Sequence, residues 1–146
     1  MKPGTGGVDF RWQMMPEKAR IRSVKMSVQK ISSADFNEEV LKAERPVLVD
    51  FYADWCLPCK MMGRVLETVS QKYGYKIVKI NVDDYQELSV SYRVMSIPTM
   101  LIFKDGAVKK RIVGAVTENE IAALFEAVQN GTEKTEIPAE KIPDMT

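Results

Sequence analysis

The sequence predicts an α/β protein with a mixed central sheet and helices on both faces. Three observations carry this. The runs Val47-Leu48-Val49-Asp50-Phe51-Tyr52 and Ile77 to Val82 are largely apolar on both parities, as expected of central strands covered from both sides. Stripes of helical period alternate with these runs, which calls for parallel crossovers. Asp105-Gly106 then separates two further strand-like runs as a two-residue hairpin signal, so the last strand returns antiparallel.

In chain order, Val28 to Ile31 reads as a short strand. Ser32-Ser33 caps a helix with Asp35 in its first turn and Phe36, Val40 and Ala43 at helical spacing, ending before Arg45-Pro46. After the strand at 47 to 52, Met62, Leu66, Val69 and Tyr73 draw one stripe down a helix of about four turns, which Gly74 ends. Ile77 to Val82 is followed by a weak helix through Tyr92. Thr99 to Phe103 is a strand headed by Pro98, and Val108 to Val113 is an edge strand guarded by Lys109, Lys110 and Arg111. Thr117 and Glu120 form a capping box for a helix with Ile121, Leu124, Phe125 and Val128 on its apolar stripe, closed by Gly131. Met61, Met62, Met95 and Met100 read as core filler.

The domain is expected over residues 26–131. Residues 1–25 carry six basic and two acidic side chains and lack the apolar run of roughly 7 to 15 residues of a secretory signal, so a disordered extension is expected there. Residues 132–146 have no stripe and read as a flexible tail.

At 146 residues the chain has room for one domain of ordinary size. No run approaches the ~18 consecutive apolar residues of a membrane span, and a formal net charge of +1 gives no field to argue for nucleic acid or a membrane surface. The chain has no histidine, which removes Ser-His-Asp and Cys-His catalysis and His-ligated zinc together. Protons must then move through a carboxylate, a lysine or a thiol.

Both cysteines fall in Trp55-Cys56-Leu57-Pro58-Cys59-Lys60, directly after a strand and at the head of a helix. This spacing puts the sulfurs within bonding reach and aims the first, expected to be accessible, at the amide-rich end of the helix, where a thiolate is favoured. A reversible disulfide is the chemistry this favours; a structural pair, or half a zinc site completed by a second chain, is the alternative. Asp50 interrupts a buried strand, so desolvation should raise its pKa and make it a candidate proton carrier. A structural ion pair with Lys79 is the other reading of that carboxylate.

Taken together, these residues closely resemble the thioredoxin family. The matching pieces are Val49-Asp50-Phe51, Ala53 to Lys60, Val78 to Asp83, Ser96-Ile97-Pro98-Thr99, Phe103 to Gly106 and Val113-Gly114-Ala115, in family order across the core. Two departures stand out. Leu57-Pro58 replaces the usual Gly-Pro between the cysteines, and Arg64 stands where many members carry a helix-kinking proline.

The resemblance implies the thioredoxin fold and a thiol-disulfide oxidoreductase that reduces protein disulfides. It makes Cys56 the attacking thiolate, Cys59 the resolving thiol, Asp50 the acceptor of the Cys59 proton and Lys79 the modulator of Asp50. It also implies a cis peptide before Pro98 and a substrate-docking surface of Trp55, Ile97, Pro98, Val113 and Gly114. Further expectations are no bound cofactor or metal, electrons from NADPH through a thioredoxin reductase, disulfide-containing protein substrates, a monomer and a cytoplasmic location. A dithiol oxidant or dedicated donor for one partner, and a binding scaffold with idle thiols, are the alternatives.

Overall fold

Five strands form one sheet in the computed structural model, which describes residues 27–131. They are β1 (Gln29–Lys30), β2 (Val47–Tyr52), β3 (Lys76–Asn81), β4 (Thr99–Lys104) and β5 (Ala107–Val113), in the spatial order β1-β3-β2-β4-β5. β1 and β2 both pair with β3 in parallel, whereas β4 pairs antiparallel with β2 and β5. The sheet is therefore mixed, as the crossover-then-hairpin pattern predicts. The expectations for residues 1–25 and 132–146 fall outside the described residues.

β2 sits at the centre because every one of its six residues can be buried. Its two parities build two separate cores. Leu48 packs with Met62, Leu66 and Val69 of α1 (Leu57–Tyr73) and with Ile121, Phe125 and Val128 of α3 (Glu118–Asn130). Val47, Val49 and Phe51 face the other way, against Phe36 and Val40 and, from α2 (Gln86–Ser91) and its end, Leu88 and Tyr92. Each large apolar side chain so buried contributes roughly 1.5–3 kcal/mol relative to exposure. The hairpin closes at Lys104 and Ala107 with Asp105 and Gly106 at φ 55° and 79°, the paired left-handed geometry that an Asp-Gly turn favours.

Three expectations change. The first helix is a 3₁₀ turn (Ser33–Asp35) followed by a π turn (Asn37–Leu41). Ser32 donates both its backbone N–H and its hydroxyl to Asp35 Oδ2, which tightens the first turn, and Lys42 N–H then closes on Asn37 O across five residues. Phe36 and Val40 still reach the core, so the apolar spacing alone could not distinguish this path from an α-helix. Tyr73, placed in the α1 stripe, is exposed and stacks on Tyr75 instead. A 17-residue helix is about 25 Å long, whereas a six-residue strand is about 20 Å, so the last turn overruns the sheet. Of the four methionines read as core filler, Met62 and Met100 are buried, but Met61 and Met95 are exposed.

Candidate active site

Leaving the sheet at Tyr52, the chain turns through Ala53-Asp54-Trp55 and enters α1 at Cys56. Cys56 is the N-cap: its backbone is extended (φ −92°, ψ 110°) and its Sγ accepts the Cys59 N–H at 3.2 Å. Pro58 falls in the first turn, where a missing N–H costs no helical bond. Cys56 and Cys59 are joined in a disulfide with their Cα atoms 5.2 Å apart, which settles the pair as a bonded one. Among the described residues no group of three or more His, Cys, Asp or Glu is arranged to hold a metal ion.

The expected accessibility of Cys56 is corrected. Both cysteines are 4% exposed, packed with Tyr52 and Ala53 and against Val82 and Ile97. What separates them is position. Cys56 lines a groove of about 640 Å³, together with Trp55, Leu57, Pro58 and Ile97, whereas Cys59 does not.

The far wall of that groove belongs to the segment entering β4. Ile97-Pro98 is a cis peptide bond, and Thr99 donates its hydroxyl to Ser96 O at 2.6 Å. Pro98 O accepts the Gly114 N–H at 2.8 Å, which ties the end of β5 to this loop. Gly114 has φ 89°, a backbone setting that a side chain would strain. Val113 and Gly114 thus adjoin Pro98 but do not line the groove itself, and Val113 is exposed beside it.

Asp50, on the strand that leads to the sulfurs, is 1% exposed. It shares the α1 side of β2 with Leu48, which packs on Met62 and Leu66, and with Tyr52, which packs on Cys56 and Cys59. Asp50 falls between these two along β2. Its Oδ1 has no hydrogen-bond partner among the described residues. Burial pushes its carboxyl up to about 7, with the Lys79 charge opposing that rise. Lys79 is its register partner on β3, but no ion pair joins them among the described residues; the ammonium lies over the Tyr52 ring instead.

Sequence reasoning missed a polar support for Trp55. The indole N–H donates to Asp83 Oδ2 at 2.9 Å, and buried Asn81 accepts the Asp83 N–H at 2.8 Å. A lone asparagine closing the apolar run of β3 was the available signal. The groove also gains Val82, Val94, Met95 and Ser96, none of them expected to line it, and Met95 reads from the sequence as core.

A disulfide closed over the first turn of a helix, opening onto an apolar groove and preceded by a strand that buries a carboxylate, defines a thiol-disulfide oxidoreductase. Residues 27–127 match the family model described as Thioredoxin. A thioredoxin of Pseudomonas aeruginosa is 43% identical over 99 residues, which is 66% of this chain and 92% of that protein. One of Synechocystis is 44% identical over 98 residues, with the same coverage of 66% and 92%. Among solved structures, a single-residue mutant of a thioredoxin from Halobacterium salinarum superposes with a TM-score of 0.66 at 33% identity, covering 70% of this chain and 91% of its own. The chain belongs to the thioredoxin family.

Proposed function

We propose that this oxidoreductase works chiefly as a reductant of protein disulfides, with electrons drawn from NADPH through a thioredoxin reductase. The observation that carries the reading is the Cys56-Cys59 disulfide set against a groove that Cys56 lines and Cys59 does not. In the reduced protein the Cys56 thiolate bonds to one sulfur of a client disulfide, and the electron pair of the broken S–S bond leaves on the other sulfur. Cys59 then gives its proton to Asp50 and attacks Cys56 Sγ. The client sulfur that was bonded to Cys56 departs as a thiolate with the electron pair of that bond, and the chain is left in the bonded form described above. Two electrons and two protons from the reductase reopen it.

In this reading Lys79 modulates Asp50, while Trp55, Ile97, Pro98, Val113 and Gly114 receive the client backbone. The exposed Trp55 and Val113 and the half-buried Ile97 support that assignment. The working unit is residues 26–131, acting as a monomer in a reducing cytoplasm, where a dithiol of this kind stays available. Among the described residues no helix is long and apolar enough to cross a membrane.

The test is insulin reduction coupled to NADPH and a thioredoxin reductase. Wild type turns over, Cys56→Ser is inert, and Cys59→Ser accumulates a mixed disulfide through Cys56. Partner binding without turnover by wild type would identify a scaffold instead. A reduction potential far above that of ordinary thioredoxins would identify an oxidant, since ~30 mV corresponds to about 1.4 kcal/mol for a two-electron couple. Removing residues 1–25 and 132–146 leaves turnover unchanged if 26–131 is the working unit.

A further inference from the structure

We propose that Leu57 and Met95 are specificity determinants, selecting client disulfides whose attacked cysteine is flanked by a bulky apolar residue. This rests on the reading that the chain reduces polypeptide disulfides. Leu57, between the cysteines, is 68% exposed, and Met95, on the segment before the cis proline, is 63% exposed. Both line the groove that Cys56 lines, and its other walls include Val82, Val94 and Ile97.

The chemistry identifies the occupant. Attack requires a client sulfur in line with Cys56 Sγ, so the residues on either side of that sulfur are delivered into the groove. Two large apolar side chains left uncovered beside the reacting atom are favoured when an apolar neighbour covers them. A charged neighbour placed there loses hydration against a wall with few polar partners. Selection therefore acts in the first exchange, where the Cys56-client bond forms and the client S–S bond breaks. A small residue at position 57 would leave this side of the groove open. Leucine there gives the chain a preference that the reaction itself does not need.

The experiment uses pre-reduced full-length protein and peptides alike except for the residue beside the target cysteine: Leu, Phe, Ser or Glu. Each peptide is disulfide-linked to a chromophoric thiol, and all rates are referred to the disulfide of 2-mercaptoethanol. The Leu and Phe peptides should exceed the Ser and Glu peptides in kcat/KM by about tenfold. Leu57→Gln and Met95→Gln should each lower that ratio by about threefold or more. Both positions are exposed, so folding is not at stake. Reduction of all four peptides at one rate, or an unchanged ratio in both variants, overturns the proposal. So does a wild-type dimer that either variant dissociates in sedimentation, since the wall would then be a contact between copies of the chain. If no peptide is reduced faster than the uncatalysed rate, the reading beneath the proposal fails with it.

Discussion

Asp50 and Lys79 are partners in the β2-β3 register, but the Lys79 ammonium rests over the Tyr52 ring, 4.8 Å from its centroid. The cation thus moderates the buried carboxylate without neutralising it. If Asp50 accepts the Cys59 proton, resolution of the mixed disulfide should rise with pH through an inflection near 7. Lys79→Met removes the charge that opposes the burial effect, so the inflection should move to higher pH. Stopped-flow resolution rates across that range measure it, and an inflection that stays put would detach Lys79 from Asp50.

Asp50 also ties stability to pH. Its folded-state carboxyl is held at about 7 against an ordinary 3.8, so the folded protein keeps a proton that the unfolded chain gives up between those values. The stability this contributes is fully present below the lower value and is lost as pH rises through the upper one. Asp50→Asn is neutral throughout. Urea unfolding of the oxidised proteins should show the variant gaining on wild type from about pH 4 to about pH 8, by on the order of 4 kcal/mol. Parallel pH curves for the two proteins would contradict a buried titrating carboxylate.

The same variant separates the two exchanges. Asp50→Asn should slow resolution by about tenfold or more at neutral pH, while the first attack by Cys56 stays within about twofold. Acid-quenched trapping of the mixed disulfide, followed by mass spectrometry, distinguishes the steps. Equal slowing of both would take Asp50 out of proton transfer.

Asp83→Ala removes the acceptor that fixes the Trp55 indole. That bond lies at an exposed site, so unfolding free energy should fall by less than about 1 kcal/mol. The KM for a protein disulfide should rise by about threefold, because the freed ring must be ordered again in each encounter. A normal KM would show that the ring needs no such anchor.

Thr117→Ala tests the cap of α3, where the Thr117 hydroxyl accepts the Glu120 N–H and Glu120 accepts the Thr117 N–H in return. The loss should be about 1 kcal/mol, or roughly 4–8 °C in Tm for a domain of this size, with turnover unaffected. A thermal melt and an insulin assay check both halves.

The sheet was legible because burial on both faces leaves a plain mark, as in Val47 to Tyr52, and because Asp105-Gly106 and Gly74 adopt the positive φ angles their chemistry permits. The cysteines and Asp50 were legible for a related reason: each is a polar or reactive group set into an apolar context. Met61 and Met95 were not, since hydrophobicity does not state which way a side chain faces. The Trp55-Asp83 bond joins residues 28 apart in the chain, and Asn81 at the end of β3 marks a polar site there without naming its partner. The 3₁₀ and π turns keep Phe36 and Val40 at the spacing of an ordinary helix, so their difference lies only in hydrogen bonds.

The margins of the sheet shape how this chain meets its clients. β1 is only two residues long, and β5 carries Lys109 and Lys110 at the point where its register slips between Ile102 and Phe103. Among the described residues, a client seeking an open row of amides and carbonyls meets a two-residue edge on one flank and a charged, bulged one on the other. Edges guarded in this way favour exchange at the sulfurs over the growth of a shared sheet.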